Sequence, residues 1–66
     1  MANRLRQIRC AKMMSQSELA RVSGISRQTI NKLELDPEKG TNSKTMLALA
    51  RALDTRVEDL FFAVTV

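Results

Sequence analysis

Residues 15–34 read Ser-Gln-Ser-Glu-Leu-Ala-Arg-Val-Ser-Gly-Ile-Ser-Arg-Gln-Thr-Ile-Asn-Lys-Leu-Glu. Ser15 and Glu18 stand at the spacing of a capping box, in which the hydroxyl accepts from the third backbone N–H and the carboxylate reaches back to the cap. Met14 and Leu19 flank that cap as a hydrophobic staple, and Ile25 and Ile30 repeat the staple around a second cap at Ser26. Two helix starts therefore lie eleven residues apart with Gly24 between them. That distance accommodates about two turns of helix and a sharp corner, the geometry of a helix-turn-helix, whose second helix can be held out toward a DNA major groove.

The chain has 66 residues, enough for one domain with a modest core. It contains no apolar run near ~18 residues and no signal-peptide pattern, so neither a membrane span nor membrane partners are expected. One cysteine, Cys10, cannot form an internal disulfide, which fits a reducing cytoplasm. Histidine is absent, which excludes a zinc finger, and neither a metal nor another cofactor is expected. Without histidine, a phosphate-cradling glycine loop or a carboxylate cluster on one face, the chain is not expected to be an enzyme. Net charge is +4 and unevenly spread. Residues 1–33 hold seven cations against Glu18 alone, whereas residues 34–66 hold four cations against six anions. The positive half should draw polyanions, with Arg4, Arg6 and Lys12 supplying general field.

Outward from the central pair, Leu5, Ile8 and Ala11 recur at helical spacing and predict a first helix from Asn3 to about Met13. The second helix is expected over about Gln16–Val22, with Leu19, Ala20 and Ser23 inward. The third is expected over about Arg27–Glu34, with Ile30 and Leu33 inward and Arg27, Gln28, Asn31 and Lys32 outward. Pro37 disfavours helix at Asp36, and Gly40 punctuates the loop. Asn42 or Ser43 can cap a fourth helix to about Leu53, apolar at Met46, Leu49, Ala50 and Leu53. Thr55 and Glu58 have capping-box spacing and predict a short fifth helix with Val57, Leu60 and Phe61 inward. The expectation is thus an all-α five-helix domain over 1–61. Residues 62–66 form a tail or a dimerisation strand. Phe62, Val64 and Val66 alternate as in a strand, while Val57, Leu60, Phe61 and Val64 match helical spacing. A lone strand in a helical domain wants a partner, and a second copy would supply one. Phe61, Phe62, Val64 and Val66 are accordingly the candidate dimer interface.

The chain resembles the Cro/phage-repressor (XRE-like) helix-turn-helix family over nearly its whole length. The resemblance rests on Leu5-Arg-Gln-Ile-Arg9, Ser15-Gln-Ser-Glu-Leu-Ala20, Ser23-Gly-Ile-Ser-Arg-Gln-Thr-Ile30, Lys32-Leu-Glu34, Leu49-Ala-Arg-Ala-Leu53 and Val57-Glu-Asp-Leu60. It implies a lambda-repressor-like fold. It implies that Gln16 contacts a DNA phosphate and that Ser26, Arg27, Gln28, Thr29 and Lys32 meet bases and nearby phosphates. Asn42, Ser43 and Lys44 fall where the family's second phosphate-contacting loop approaches the backbone. Arg9 and Glu34 match a family ion pair joining the first helix to the end of the third. Met13 departs from the pattern, standing where relatives often carry glycine; if that backbone needs φ > 0, either the residue is strained or the turn differs. The loop at 35–42 is longer than in compact relatives, and Leu35-Asp36 replaces a common Asn-Gly ending.

The chemistry of the outward residues agrees. An arginine fork matches guanine O6 and N7, and a glutamine amide matches adenine N6 and N7, which makes Arg27 and Gln28 the leading base readers. Lys32 lies about 40° around the helix from Gln28 and can share its face, toward a base edge or a phosphate. Asn31 is the fourth candidate base contact. Thr29 and Ser26 can reach phosphate, although Ser26 can equally serve as a cap alone. The expected function is a sequence-specific DNA-binding transcription regulator, a repressor acting as a homodimer on palindromic double-stranded DNA. The alternative is a protein-interaction module, such as a toxin-neutralising antitoxin that also regulates its own synthesis, using the acidic second half and apolar end to hold a protein partner.

Overall fold

The computed structural model describes residues 2–38 and 40–62, without the side chains of Ala2 and Phe62. The elements follow in the order β1 (Ala2–Asn3), α1 (Leu5–Ala11), α2 (Gln16–Ser23), α3 (Arg27–Leu35), α4 (Ser43–Ala52), α5 (Val57–Leu60) and β2 (Phe61–Phe62). Five helices carry the fold. β1 and β2 add a two-residue antiparallel ladder that pairs Ala2 with Phe62 and Asn3 with Phe61.

The local chemistry explains the central helices. Ser15 accepts from the Glu18 N–H at 3.0 Å and Ser26 from the Thr29 N–H at 3.2 Å, so each of α2 and α3 begins on a hydroxyl cap. No return bond from the Glu18 carboxylate to Ser15 occurs among the described residues, so only half of the capping box forms. α2 stops at Gly24, which takes φ 75°, and the Ile25 N–H then donates to Ser23 Oγ at 3.1 Å. α3 stops where Pro37 disfavours helix at Asp36, whose φ of −127° and ψ of 79° lie outside the helical region. Asn42 caps α4 by accepting from the Thr45 N–H at 2.8 Å.

Two helices end in a Schellman turn without glycine. After α1, the Met13 N–H bonds the Cys10 carbonyl and the Met14 N–H the Arg9 carbonyl, with Met13 at φ 58°. After α4, the Asp54 N–H bonds the Arg51 carbonyl and the Thr55 N–H the Ala50 carbonyl, with Asp54 at φ 52°. The second turn corrects the expected capping box at Thr55. Its N–H closes α4, Arg56 holds the cap position of α5 without capping it through its side chain, and Glu58 pairs instead with the Arg56 guanidinium at 3.0 Å.

The first helix is also shorter than its periodicity predicts. Residues 2–4 are drawn into the ladder, where the Arg4 N–H donates to the Leu60 carbonyl at 2.9 Å, and α1 begins only at Leu5. Asn3 is 7% exposed and does three jobs. Its Oδ1 accepts from the Leu5 N–H at 3.1 Å, and its Nδ2 donates to the carbonyls of Leu33 at 3.2 Å and Pro37 at 3.3 Å. It therefore satisfies an open carbonyl in the last turn of α3. Ala11, expected inward, is exposed, because α1 ends there and Met14 turns back onto the core.

Each helix contributes to one apolar cluster of Leu5, Leu19, Ile30, Leu33, Leu49, Ala50, Leu53, Leu60 and Phe61. Phe61, expected at a dimer interface, is 4% exposed within its own chain, and its backbone pairs with Asn3. Its ring follows Leu60 inward because β2 continues directly from α5 over the same core. Val64 and Val66 lie outside the described residues.

Because Met13 is 91% exposed, its side chain gains no burial to offset the left-handed backbone. Met13→Gly should therefore stabilise the domain by about 1 kcal/mol, or roughly 4–8 °C in Tm by thermal denaturation. Asn3→Ala should destabilise it by about 1–3 kcal/mol, since the Leu33 carbonyl loses its donor. An unchanged Tm in both variants would contradict this account of the turns.

Candidate nucleic-acid interface

α3 divides by face. Ile30 and Leu33 point into the core, at 0% and 3% exposure. Arg27, Gln28, Asn31 and Lys32 lie on the exposed side. The side chains of Arg27, Gln28 and Lys32 make no hydrogen bond or ion pair among the described residues. Gln16, Arg27, Gln28 and Asn31 line an open depression of about 400 Å³ between the start of α2 and the outer face of α3. Arg4, Arg6, Lys12 and Arg21 are also exposed, so all the cations of the first half except Arg9 stand at the surface.

Arg9 is spent on structure. Its Nε donates to Glu34 Oε2 at 2.7 Å and its Nη2 to Glu34 Oε1 at 3.0 Å, a two-pronged grip. Its Nη1 donates to the Met14 carbonyl at 2.7 Å. The side chains of Arg9 and Glu34 are only 13% and 5% exposed. One guanidinium thus joins α1, the turn before α2, and the end of α3. Gln16 extends the network: its Nε2 donates to Glu34 Oε1 at 3.2 Å and to Asn31 Oδ1 at 3.3 Å. Burial pushes the Glu34 carboxyl up, but hydrogen bonds from Arg9 and Gln16, with the charges of Arg9 and Arg6, outweigh it and hold the group below its ordinary value of 4.5. The bond to Glu34 correspondingly raises Arg9, against a smaller lowering by burial.

The other expected contacts are placed as follows. Ser26 is exposed and Thr29 half-buried, and the two hydroxyls bond to each other at 2.9 Å. Asn42, Ser43 and Lys44 are exposed at the start of α4, where the Asn42 carbonyl group of the side chain is engaged as the cap. The side-chain amide of Gln16 is committed inward, so the donors it leaves at the start of α2 are the main-chain N–H groups of Gln16 and Ser17, which have no partner among the described residues. The periodic pattern had no signal for the Gln16–Asn31 bond or for the Arg9–Met14 bond. Both depend on how helices distant in sequence come together. No group of three or more His, Cys, Asp or Glu among the described residues is arranged to hold a metal, and no helix there is long and apolar enough to cross a membrane.

A family model described as helix-turn-helix matches residues 5–60. No curated protein matches the chain closely enough to show a relative.

Glu34→Gln should cost about 2–3 kcal/mol at neutral pH, because Arg9 then faces a neutral amide. The acid dependence has a definite sign. A carboxyl held below its ordinary value in the fold contributes stability in full above 4.5 and loses it as the pH falls through the depressed value. The stability gap between wild type and Glu34→Gln should therefore narrow on acidification below 4.5, as read by denaturant titration at a series of pH values. A gap that stays constant would show that the carboxylate charge is not what holds the network.

Proposed function

Since the chain belongs to the Cro/C1-type XRE helix-turn-helix family and is a DNA-binding transcription regulator, we propose that it acts as a homodimeric repressor that reads a palindromic operator with α3. The observation that carries this reading is the division of α3, whose apolar side is sealed in the core while Arg27, Gln28, Asn31 and Lys32 are left outward. Four polar side chains on the outward side of one helix suit the major groove, which admits a helix and presents a distinct hydrogen-bonding pattern for each base pair.

In this reading Arg27 and Gln28 take base edges, and Lys32 and Asn31 extend the contact one turn along the groove. Phosphates are met by Ser26, Thr29, Asn42, Ser43 and Lys44 and by the start of α2. At Gln16 the phosphate is held by main-chain N–H groups, whose direction at a helix N-terminus favours an anion. Phosphate contacts supply position and much of the affinity, and base contacts supply selectivity. A two-fold pair places two copies of α3 in successive major grooves, about 34 Å apart. β2 supports pairing in one respect: β1 takes one of its edges, and no strand lies along the other among the described residues. Occupancy of an operator that overlaps a promoter represses by exclusion.

Selection of bound duplexes from a random pool should recover an inverted repeat with half-sites about one helical turn apart. Arg27→Ala or Gln28→Ala should lose about 1–3 kcal/mol of discrimination at one position of each half-site. Lys44→Ala should weaken binding to all sequences alike and reduce the slope of log K against log salt by about one. Binding indifferent to both sequence and salt would overturn the reading. Recovery of a single unrepeated site would overturn the dimer.

A further inference from the structure

The geometry points to a fixed polarity of the Asn31 side-chain amide, with Oδ1 held inward by Gln16 and Nδ2 presented outward, so that Asn31 selects base edges that carry an acceptor. The inference rests on α3 being the base-reading helix, and it names the class of base edge that one residue takes.

The polarity is set three residues away. A carboxylate only accepts hydrogen bonds. Both oxygens of Glu34 are engaged, Oε2 by Arg9 Nε at 2.7 Å and Oε1 by Arg9 Nη2 at 3.0 Å and Gln16 Nε2 at 3.2 Å. Gln16 must therefore turn its amino group, not its carbonyl, toward Glu34. The same nitrogen lies 3.3 Å from the Asn31 side chain. An amide nitrogen carries two hydrogens, one for each acceptor, so the atom of Asn31 that faces it has to be Oδ1. Turning the Asn31 amide over would set one amino group against another with no acceptor between them. Donor and acceptor directions thus run in sequence from Arg9 through Glu34 and Gln16 to Asn31, and leave the Nδ2 hydrogens free at the exposed end.

Asparagine grips adenine by presenting its carbonyl to N6–H and its amino group to N7 together. Gln16 takes one lone pair of Oδ1 and fixes which way the amide points, while Nδ2 keeps both of its hydrogens for the groove. The partners of Nδ2 in the major groove are guanine N7 or O6, adenine N7 and thymine O4, whereas cytosine presents it an amino group and no acceptor. Gln28, whose side chain has no partner among the described residues, retains both halves.

Asn31→Asp separates the two orientations. Aspartate keeps an acceptor for Gln16 and replaces the outward donor by an acceptor. The variant should bind the wild-type operator about tenfold or more weakly and, in random-pool selection, change one position of each half-site toward cytosine. An unchanged preference with uniformly weaker binding, the signature of added negative charge alone, would overturn the proposal. In the free wild-type protein, amide hydrogen exchange by NMR should show slow Gln16 Nε2 hydrogens and fast Asn31 Nδ2 hydrogens, and the reverse order would also overturn it. If the wild-type protein selects no sequence, the reading of α3 fails while the exchange order still decides the polarity.

Discussion

The two-pronged contact between Arg9 and Glu34 is the constraint on which the outer face of α3 depends. α3 is only nine residues long and buries two of them, Ile30 and Leu33. Apolar packing of two side chains resists translation into the core, but it resists rotation about the helix axis poorly, because dispersion and the hydrophobic effect are non-directional. Rotation would redirect Arg27, Gln28, Asn31 and Lys32 together. The fork geometry of a guanidinium on a carboxylate supplies direction, and Arg9 adds the Met14 carbonyl as a third anchor. Such a pair, largely removed from water, is a weak source of net stability and a strong source of geometry.

Asn3 performs the matching task at the other end of the problem. It ties the strand-like start of the chain to the last turn of α3 and to the loop after it. The helix that faces outward is thus fixed by polar bonds from two separate elements, both anchored near its C-terminal end. Its N-terminal half rests on the Ser26 cap and on the Gly24 corner. Nothing near Gly24 would meet an added Cβ within 4 Å, so glycine is needed there for its left-handed backbone and not for space.

Much of this architecture was legible in residue order. Hydroxyl caps at Ser15 and Ser26, the glycine corner, the proline stop after α3 and the cap at Asn42 act over three or four residues, and each appears in the structure where its chemistry places it. The family resemblance located Arg9 and Glu34, which meet, and pointed to Met13 as a position of strained backbone, which it is. The failures have a common cause. Thr55 and Glu58 had the spacing of a cap, but the N–H of Thr55 was already required to close α4. Asn3 had the place of a first helical residue, but a strand from the far end of the chain competed for its backbone. Ala11 matched the helical period of Leu5 and Ile8, yet the helix stopped beneath it.

Residue order by itself determined α2, α3 and α4 with their caps at Ser15, Ser26 and Asn42, the apolar set Leu19, Ile30, Leu33, Leu49 and Leu53, and the cationic character of the first half, because these follow from local hydrogen bonding, from a 3.6-residue period and from counting charge. Tertiary structure decided which of the outward side chains are free. Gln16 and Asn31 look alike in sequence to Gln28, each an amide side chain at the start or along the polar face of a helix. Only the meeting of α1, α2 and α3 places an acceptor-only carboxylate beside Gln16 and sets the direction of every hydrogen bond that follows, since hydrogen-bond polarity passes through contacts in space and leaves no period in the chain.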